Sequence, residues 1–217
     1  MPTESTYDRL KAMIYRRQLC AGQRIVEREL ARELGVSRIP LREGMIRLEN
    51  EGLIRSIPNS SSYISAIGPK DLMEIYSMRL WLEPPATRLA TVRCTKRLLK
   101  TLNNLCGKMA ESVESDHVAR DFDYLFHFAI IQASQHARLI RAYESSHIRI
   151  VGFYTDFAAQ KATDPDRLVR QHQRIIRAIE QGNPDRSERI ASEHVKLSIS
   201  NFEKKLGVKL EAPLGDD

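Results

Sequence analysis

Four side chains able to hold a metal recur through the second half of the chain. Asp123 and His127 lie in "DFDYLFHFAIIQAS" (121–134), His172 in "RQHQRIIRAI" and His194 in "ASEHVKLSI". Asp123 and His127 are four residues apart, so on a helix they project from one face. His172 and His194 each sit among regularly spaced apolar residues: Ile175, Ile176 and Ile179 in one segment, Ile190, Val195, Leu197 and Ile199 in the other. A histidine on such a face is more often a satisfied core residue than a ligand, and spacing across separate helices does not choose between the two. Were all four to converge, three neutral imidazoles and one carboxylate would suit a divalent transition ion, with zinc and nickel foremost and copper or iron also compatible. The local charge would be about +1, which leaves room for an anion.

A second chemistry lies nearer the N-terminus. "GVSRIPLREGMIRLENEGL" (35–53) places Arg38 and Arg42 one helical turn apart, just after a Gly-Val-Ser turn. The planar guanidinium fork of arginine can bond guanine O6 and N7 together, and the first turns of a helix in the major groove are where base edges are met. Ser37 can cap that helix or bond a base or phosphate. A solvated basic face with no partner is the plainer reading, and the helix alone does not decide.

The elements that must carry these residues fall into two groups. Residues 4–19 read as a helix on Leu10, Met13, Ile14 and Leu19. "VERELAREL" (26–34) is a second, with Val26, Leu30 and Leu34 at helical spacing and Gly35 as its stop. The third helix starts after Ser37, with Pro40 in the first turn, where an amide donor is not needed. Leu41, Met45 and Leu48 share one of its faces and Arg38 and Arg42 another. "LIRSI" and "YISAI" then read as strands joined by "PNSSS". Helix, helix, turn, helix and hairpin is the order of a winged helix-turn-helix. From about residue 70 to 206 the strong patterns are helical, near 70–92, 95–114, 117–134, 137–159, 165–181 and 184–206. Breaks fall at Pro84-Pro85, "SQHA", "ATDPD" and "QGNPD". The expected fold class is mostly α: a winged helix-turn-helix over 1–67, a linker at 68–71, an all-helical antiparallel bundle over 72–210, and a tail at 211–217.

Composition agrees with a globular chain. The net charge is +6 and the pI near 9.3. Residues 1–66 carry eleven Lys/Arg and eight Asp/Glu, and the rest 23 and 20, so each part has the same excess. Any case for DNA therefore rests on where particular arginines lie. No apolar run approaches a membrane span, and the N-terminus lacks a signal-peptide pattern. Cys20, Cys94 and Cys106 form no metal or redox motif and fit free thiols in a reducing cytoplasm.

"ERELARELGVSRIPLREGMIRLENEGLI" (27–54) resembles the DNA-binding signature of GntR-family bacterial regulators, and "RRQLCAGQRI" (16–25) fits the turn before it, with Ala21-Gly22 for the usual Pro-Gly. The resemblance implies operator DNA contacts by Arg28, Ser37, Arg38, Ile39 and Arg42. It departs at Gly44-Met45, where Ala-Leu is usual, and at Ser60-Ser61, where the family's wing tip has Arg-Gly. The bundle is similar to the FCD effector-binding domain of the FadR-type branch: "MRLWLE" (78–83) matches its Arg-x-x-Leu-Glu opening and "DYLFH" (123–127) its Asp-x-x-Phe-His. Gln171 stands before His172 where Glu is common, and His136 where Asn is. In metal-binding members the four ligands fall at Asp123, His127, His172 and His194. The resemblance thus implies a cytoplasmic, homodimeric, metal-containing regulator of double-stranded operator DNA. Its effector would be a small organic acid, paired with Arg79 as well as with the ion. Two alternatives are a bundle without metal that binds an acyl thioester and a metal-dependent enzyme fused to a DNA-binding domain; no separate acid/base motif supports the latter.

Overall fold

The computed structural model describes residues 5–15, 18–58, 60–66, 68–112, 116–146 and 165–206. The chain divides into two units, Met1–Gly68 and Pro69–Asp217.

The first unit runs α1 (Thr6–Tyr15), β1 (Arg24–Ile25), α2 (Glu27–Leu34), α3 (Arg38–Asn50), β2 (Ile54–Ser56) and β3 (Ser62–Ile64). α2 stops at Gly35, whose left-handed φ of 64° lets its amide reach back to the carbonyls of Ala31 and Arg32. Ser37 occupies the cap position of α3, but its side chain makes no capping hydrogen bond. Leu10 and Ile14 of α1 and Leu41 and Leu48 of α3 are fully buried, each contributing about 1.5–3 kcal/mol. α1 and α3 cross closely at Gly44: a Cβ there would lie 3.0 Å from Leu10 Cδ1 and 3.2 Å from the Tyr7 nitrogen. The glycine that weakens the helix intrinsically is thus what lets the two helices approach. Beyond the crossing, Lys11 donates to Glu51 (2.7 Å) and to the Tyr7 hydroxyl (2.9 Å), and the Arg47 guanidinium lies 3.7 Å from the Tyr7 ring centre.

The hairpin is part of a three-stranded antiparallel sheet in the order β1-β3-β2. Ile25, Ile54 and Ile64 point to its buried face. Tyr63 pairs with Arg24 on one side and Arg55 on the other, so these three form a row across the opposite face. β1 has two residues and left no periodic trace in the sequence.

The second unit contains α4 (Pro69–Val92), α5 (Lys96–Glu111), α6 (Asp116–Ala133), α7 (Ala137–Ser145), α8 (Pro165–Glu180) and α9 (Pro184–Leu206). Two expectations are corrected. Pro69–Asp71 form the first turn of α4 rather than a linker, since proline and an acidic residue both suit a helix start. Pro84 and Pro85 lie inside α4 and do not end it. Each removes one backbone hydrogen bond, yet the neighbouring turns are held by burial of Glu83, Ala86, Thr87 and Ala90. α4 is also tied to α9 by Thr91 Oγ1 on Ser187 Oγ (2.7 Å) and by Arg88 bonded to Asp185 and Glu188. Thr95 caps α5 and His136 caps α7, accepting from the Leu98 and Leu139 amides. The main core joins Leu98, Leu102, Cys106 and Met109 of α5 to Phe126 and Ile130 of α6 and Ile175, Ile176 and Ile179 of α8. The cysteines are free thiols. The expected end of the helix after residue 145, the tail, and the side chains of His117, His147, Phe153, Tyr154 and Phe157 lie outside the described residues.

Candidate metal centre and candidate nucleic-acid interface

Three helices bring the four ligand candidates together. α6 supplies Asp123 and His127 one turn apart, α8 supplies His172, and α9 supplies His194. One ligand atom from each lies within 4.8 Å of every other. His127 Nε2 is 3.3 Å from His172 Nε2 and 3.2 Å from His194 Nε2. Asp123 Oδ1 is 3.0 Å from His172 Nε2 and 3.8 Å from His127 Nε2. The three histidines are at most 5% exposed. Phe126 packs edge-on against His172, with ring centres 4.6 Å apart, and fixes the dry side of the cluster.

The outer bonds decide which nitrogens face inward. His127 Nδ1 is 3.1 Å from Glu83 Oε2, and His172 Nδ1 is 2.9 Å from the Leu168 carbonyl. A proton on each Nδ1 satisfies those acceptors and leaves the Nε2 lone pairs aimed at one another and at the Asp123 carboxylate. Lone pairs crowded in this way repel unless a cation or protons lie between them. Metal–nitrogen bonds of about 2.0–2.1 Å at tetrahedral angles hold ligand atoms about 3.3 Å apart, which is the spacing of His127 Nε2 from His172 Nε2 and from His194 Nε2. The donor set therefore fits a divalent transition ion. Burial, and then the rings of His172 and His127, hold His194 well below the usual imidazole range, which favours its neutral form with a lone pair open to a cation. Its Nδ1 is buried and has no partner among the described residues. Burial pushes the Asp123 carboxyl up, but the bond with His172 and the proximity of His127 and of the Arg79 guanidinium reverse this and hold it below the usual carboxylate range.

Arg79, expected to pair with the effector, is bonded to a carboxylate of its own helix. It is 6% exposed, and its Nε and Nη2 donate to Glu83 at 2.7 and 3.4 Å. Glu83, 3% exposed, also accepts from the Tyr143 hydroxyl at 3.3 Å. Burial opposes charge on both partners, yet their mutual attraction prevails: Arg79 is raised and Glu83 is lowered, the latter helped by His127. Glu83, noted in the sequence only as the end of the Arg-x-x-Leu-Glu opening, and Tyr143, whose aromatic side chain suits core or pocket wall, are further functional candidates of this cluster. The signal was present in the four-residue spacing of Arg79 and Glu83 on one helix face.

In the first unit Arg28, Ser37, Arg38, Ile39 and Arg42 are all exposed. Ile39 is 71% exposed, an apolar group held in water at the start of α3. Arg42 Nε rests 2.8 Å from Glu27 Oε2. Arg24, from the unforeseen strand, donates through Nε to Ser61 Oγ at 2.9 Å, at the hairpin position where the family's glycine is absent.

A three-helix winged unit that presents exposed arginines on its last helix, in one chain with a helical unit that has a buried polar cluster, is the combination expected of a regulator that reads DNA. Residues 2–64 match bacterial regulatory proteins of the gntR family, and residues 74–197 match the FCD domain. The chain belongs to the GntR family and carries an FCD domain; it is a DNA-binding transcriptional regulator and not an enzyme. It is 35% identical over 130 residues to the Nta operon transcriptional regulator of Aminobacter aminovorans, covering 59% of this chain and 62% of that one. The HTH-type regulator YdhC of Bacillus subtilis is 28% identical over 198 residues, with 87% and 84% covered. Among solved structures, Escherichia coli McbR/YncC superposes with a TM-score of 0.74 at 22% identity, over 93% of this chain and 96% of that one. That likeness supports the fold.

Proposed function

We propose that this regulator senses a small organic acid through a divalent metal held by Asp123, His127, His172 and His194, with zinc or nickel the best match to the donors. The observation that carries the reading is the convergence of four ligand atoms within 4.8 Å from three helices. A metal in that donor set keeps a local charge of about +1 and an open position, and a carboxylate oxygen fills both needs. Arg79 lies beside the cluster with part of its guanidinium engaged by Glu83; its remaining N–H groups pair with the same anion. Residues 1–67 read a double-stranded operator through Arg28, Ser37, Arg38, Ile39 and Arg42, and residues 72–210 form the sensor. The working form in the cytoplasm is a homodimer, because one module reads few base pairs and two half-sites need two copies. Effector occupancy changes the balance of two conformations with different operator affinity.

Metal analysis of full-length protein purified without chelator tests the first step. Calorimetric titration with candidate acids and operator binding with and without the acid test the rest. About one ion per chain, and acid binding that vanishes when the ion is stripped, are the expected results. Acid binding of equal strength to stripped protein overturns the metal-mediated reading.

A further inference from the structure

The three histidines of the cluster differ in what holds their outer nitrogen. His127 has a carboxylate, Glu83, at 3.1 Å. His172 has a neutral carbonyl, that of Leu168, at 2.9 Å. His194 Nδ1 has no partner among the described residues. Glu83 is 3% exposed and is held from three elements at once: by Arg79 on its own helix α4, by Tyr143 on α7 and by His127 on α6. Neither Glu83 oxygen is free to turn toward the ion, since Oε1 faces Arg79 and Tyr143 while Oε2 faces His127 and Arg79.

We propose that Glu83 is a positioning residue that makes His127 the anchor ligand of the metal, with Arg79 as the neighbour that holds Glu83 in place. The inference rests on the metal reading above and adds a role to a residue that touches no ligand. A carboxylate that accepts the Nδ1 proton fixes the ring tautomer and angle and raises the electron density on Nε2, so the metal bond strengthens. The carbonyl behind His172 orients without adding a charge. Arg79 bonds both oxygens of the buried Glu83 and so fixes the orientation of the carboxylate behind His127.

The test uses full-length protein stripped with a chelator and then titrated with Co²⁺, followed by its visible absorption, and with Zn²⁺ in competition with a chelating dye. Glu83→Gln keeps the size and removes the charge. It is expected to bind both ions about 10–100-fold more weakly, with a shifted cobalt spectrum. Tyr143→Phe removes a contact to the same carboxylate but none to His127, and should keep wild-type affinity and spectrum. Should Glu83→Gln fold poorly, the Arg79→Gln, Glu83→Gln double variant leaves a neutral hydrogen-bonded pair and should show the same weakening. Wild-type affinity and spectrum in both charge-removing variants overturn the positioning role while leaving the metal site intact. Equal weakening by Tyr143→Phe shows a general loosening of the core and also overturns it. A wild-type protein that takes up neither ion overturns the metal reading itself, and this role with it.

Discussion

On α3 the charged groups stand in water: Arg42 keeps 62% of its side-chain surface although it touches Glu27. In the helical unit Glu83 keeps 4% and His172 none. An exposed ion pair of the first kind contributes about 0–1 kcal/mol and is screened by salt. It holds an arginine loosely until a phosphate or a base takes over. The buried groups are linked, so each fixes the next: Arg79 the charge of Glu83, Glu83 the ring of His127, His127 its place among the ligands. The recognition surface should therefore respond to substitution one residue at a time, with little effect on folding. The buried cluster should respond as a unit, with stability and ligand binding changing together.

The severest test of that contrast is Arg79→Ala. It leaves Glu83 buried without its counter-ion, which typically costs about 3–5 kcal/mol. Thermal unfolding of the helical unit should show the loss, and metal binding should weaken because His127 is no longer held. Arg79→Lys keeps the charge and loses the fork, so stability should fall less while acid binding weakens. An Arg79→Ala protein that unfolds at the wild-type temperature would mean the pair is not what holds this corner together.

Next in size is removal of ligands. His172→Ala and His194→Ala should each lower metal content and abolish the effector response. The stability supplied by the ion should go too, about 4 kcal/mol where free metal stands a thousandfold above its dissociation constant. Operator binding without effector should persist, since Arg38 and Arg42 belong to the other unit. A double variant that still answers to its acid would separate sensing from the cluster.

Much of this contrast was legible in the residues, and the limits have physical causes. The winged unit could be read because each signal is local: Gly35 stops α2, Leu41, Met45 and Leu48 mark the buried face of α3, and Ser-Asn-Pro turn chemistry separates two strands. β1 escaped because two residues have no periodicity, and its pairing with β3 is set by tertiary contact. Pro84-Pro85 marked a break because a proline inside a helix removes a backbone hydrogen bond; what kept α4 whole is burial, which no local pattern states. The four ligand candidates could be named, but their convergence depends on how α6, α8 and α9 pack. The partner of Arg79 was four residues away throughout. It was overlooked because a charged pair at that spacing is usually a solvated helix face, and only packing makes it a buried one.

On the exposed side the larger effects belong to α3. Arg38→Ala and Arg42→Ala should each weaken operator binding by about 1–3 kcal/mol per lost base contact, with a smaller loss on unrelated DNA. Arg28→Ala should act mainly through a phosphate and lower the salt slope. The folding temperature should change little in any of the three. Equal losses on operator and random sequence for Arg38→Ala would show that it reads no base.

The smallest effect, and the finest probe of the exposed surface, lies at the hairpin. Ser60 and Ser61 stand where the family carries Arg-Gly, so the tip itself has no cation. Arg24, however, donates to Ser61, and Arg24 and Arg55 flank Tyr63 on the outward face of the sheet. If this face lies along the duplex, Arg24→Ala should lower the slope of log affinity against log salt by about one, with almost no change in the preference for operator over random DNA. Ser60→Arg should raise affinity, chiefly at low salt, because it adds a phosphate-facing charge at the tip. Combining the two separates a charge that merely needs to be near the tip from one that needs the Ser61 bond. If position alone matters, Ser60→Arg should restore the slope lost in Arg24→Ala. Salt slopes that stay at the wild-type value in all three proteins would place the hairpin away from the DNA and leave α3 as the reading surface.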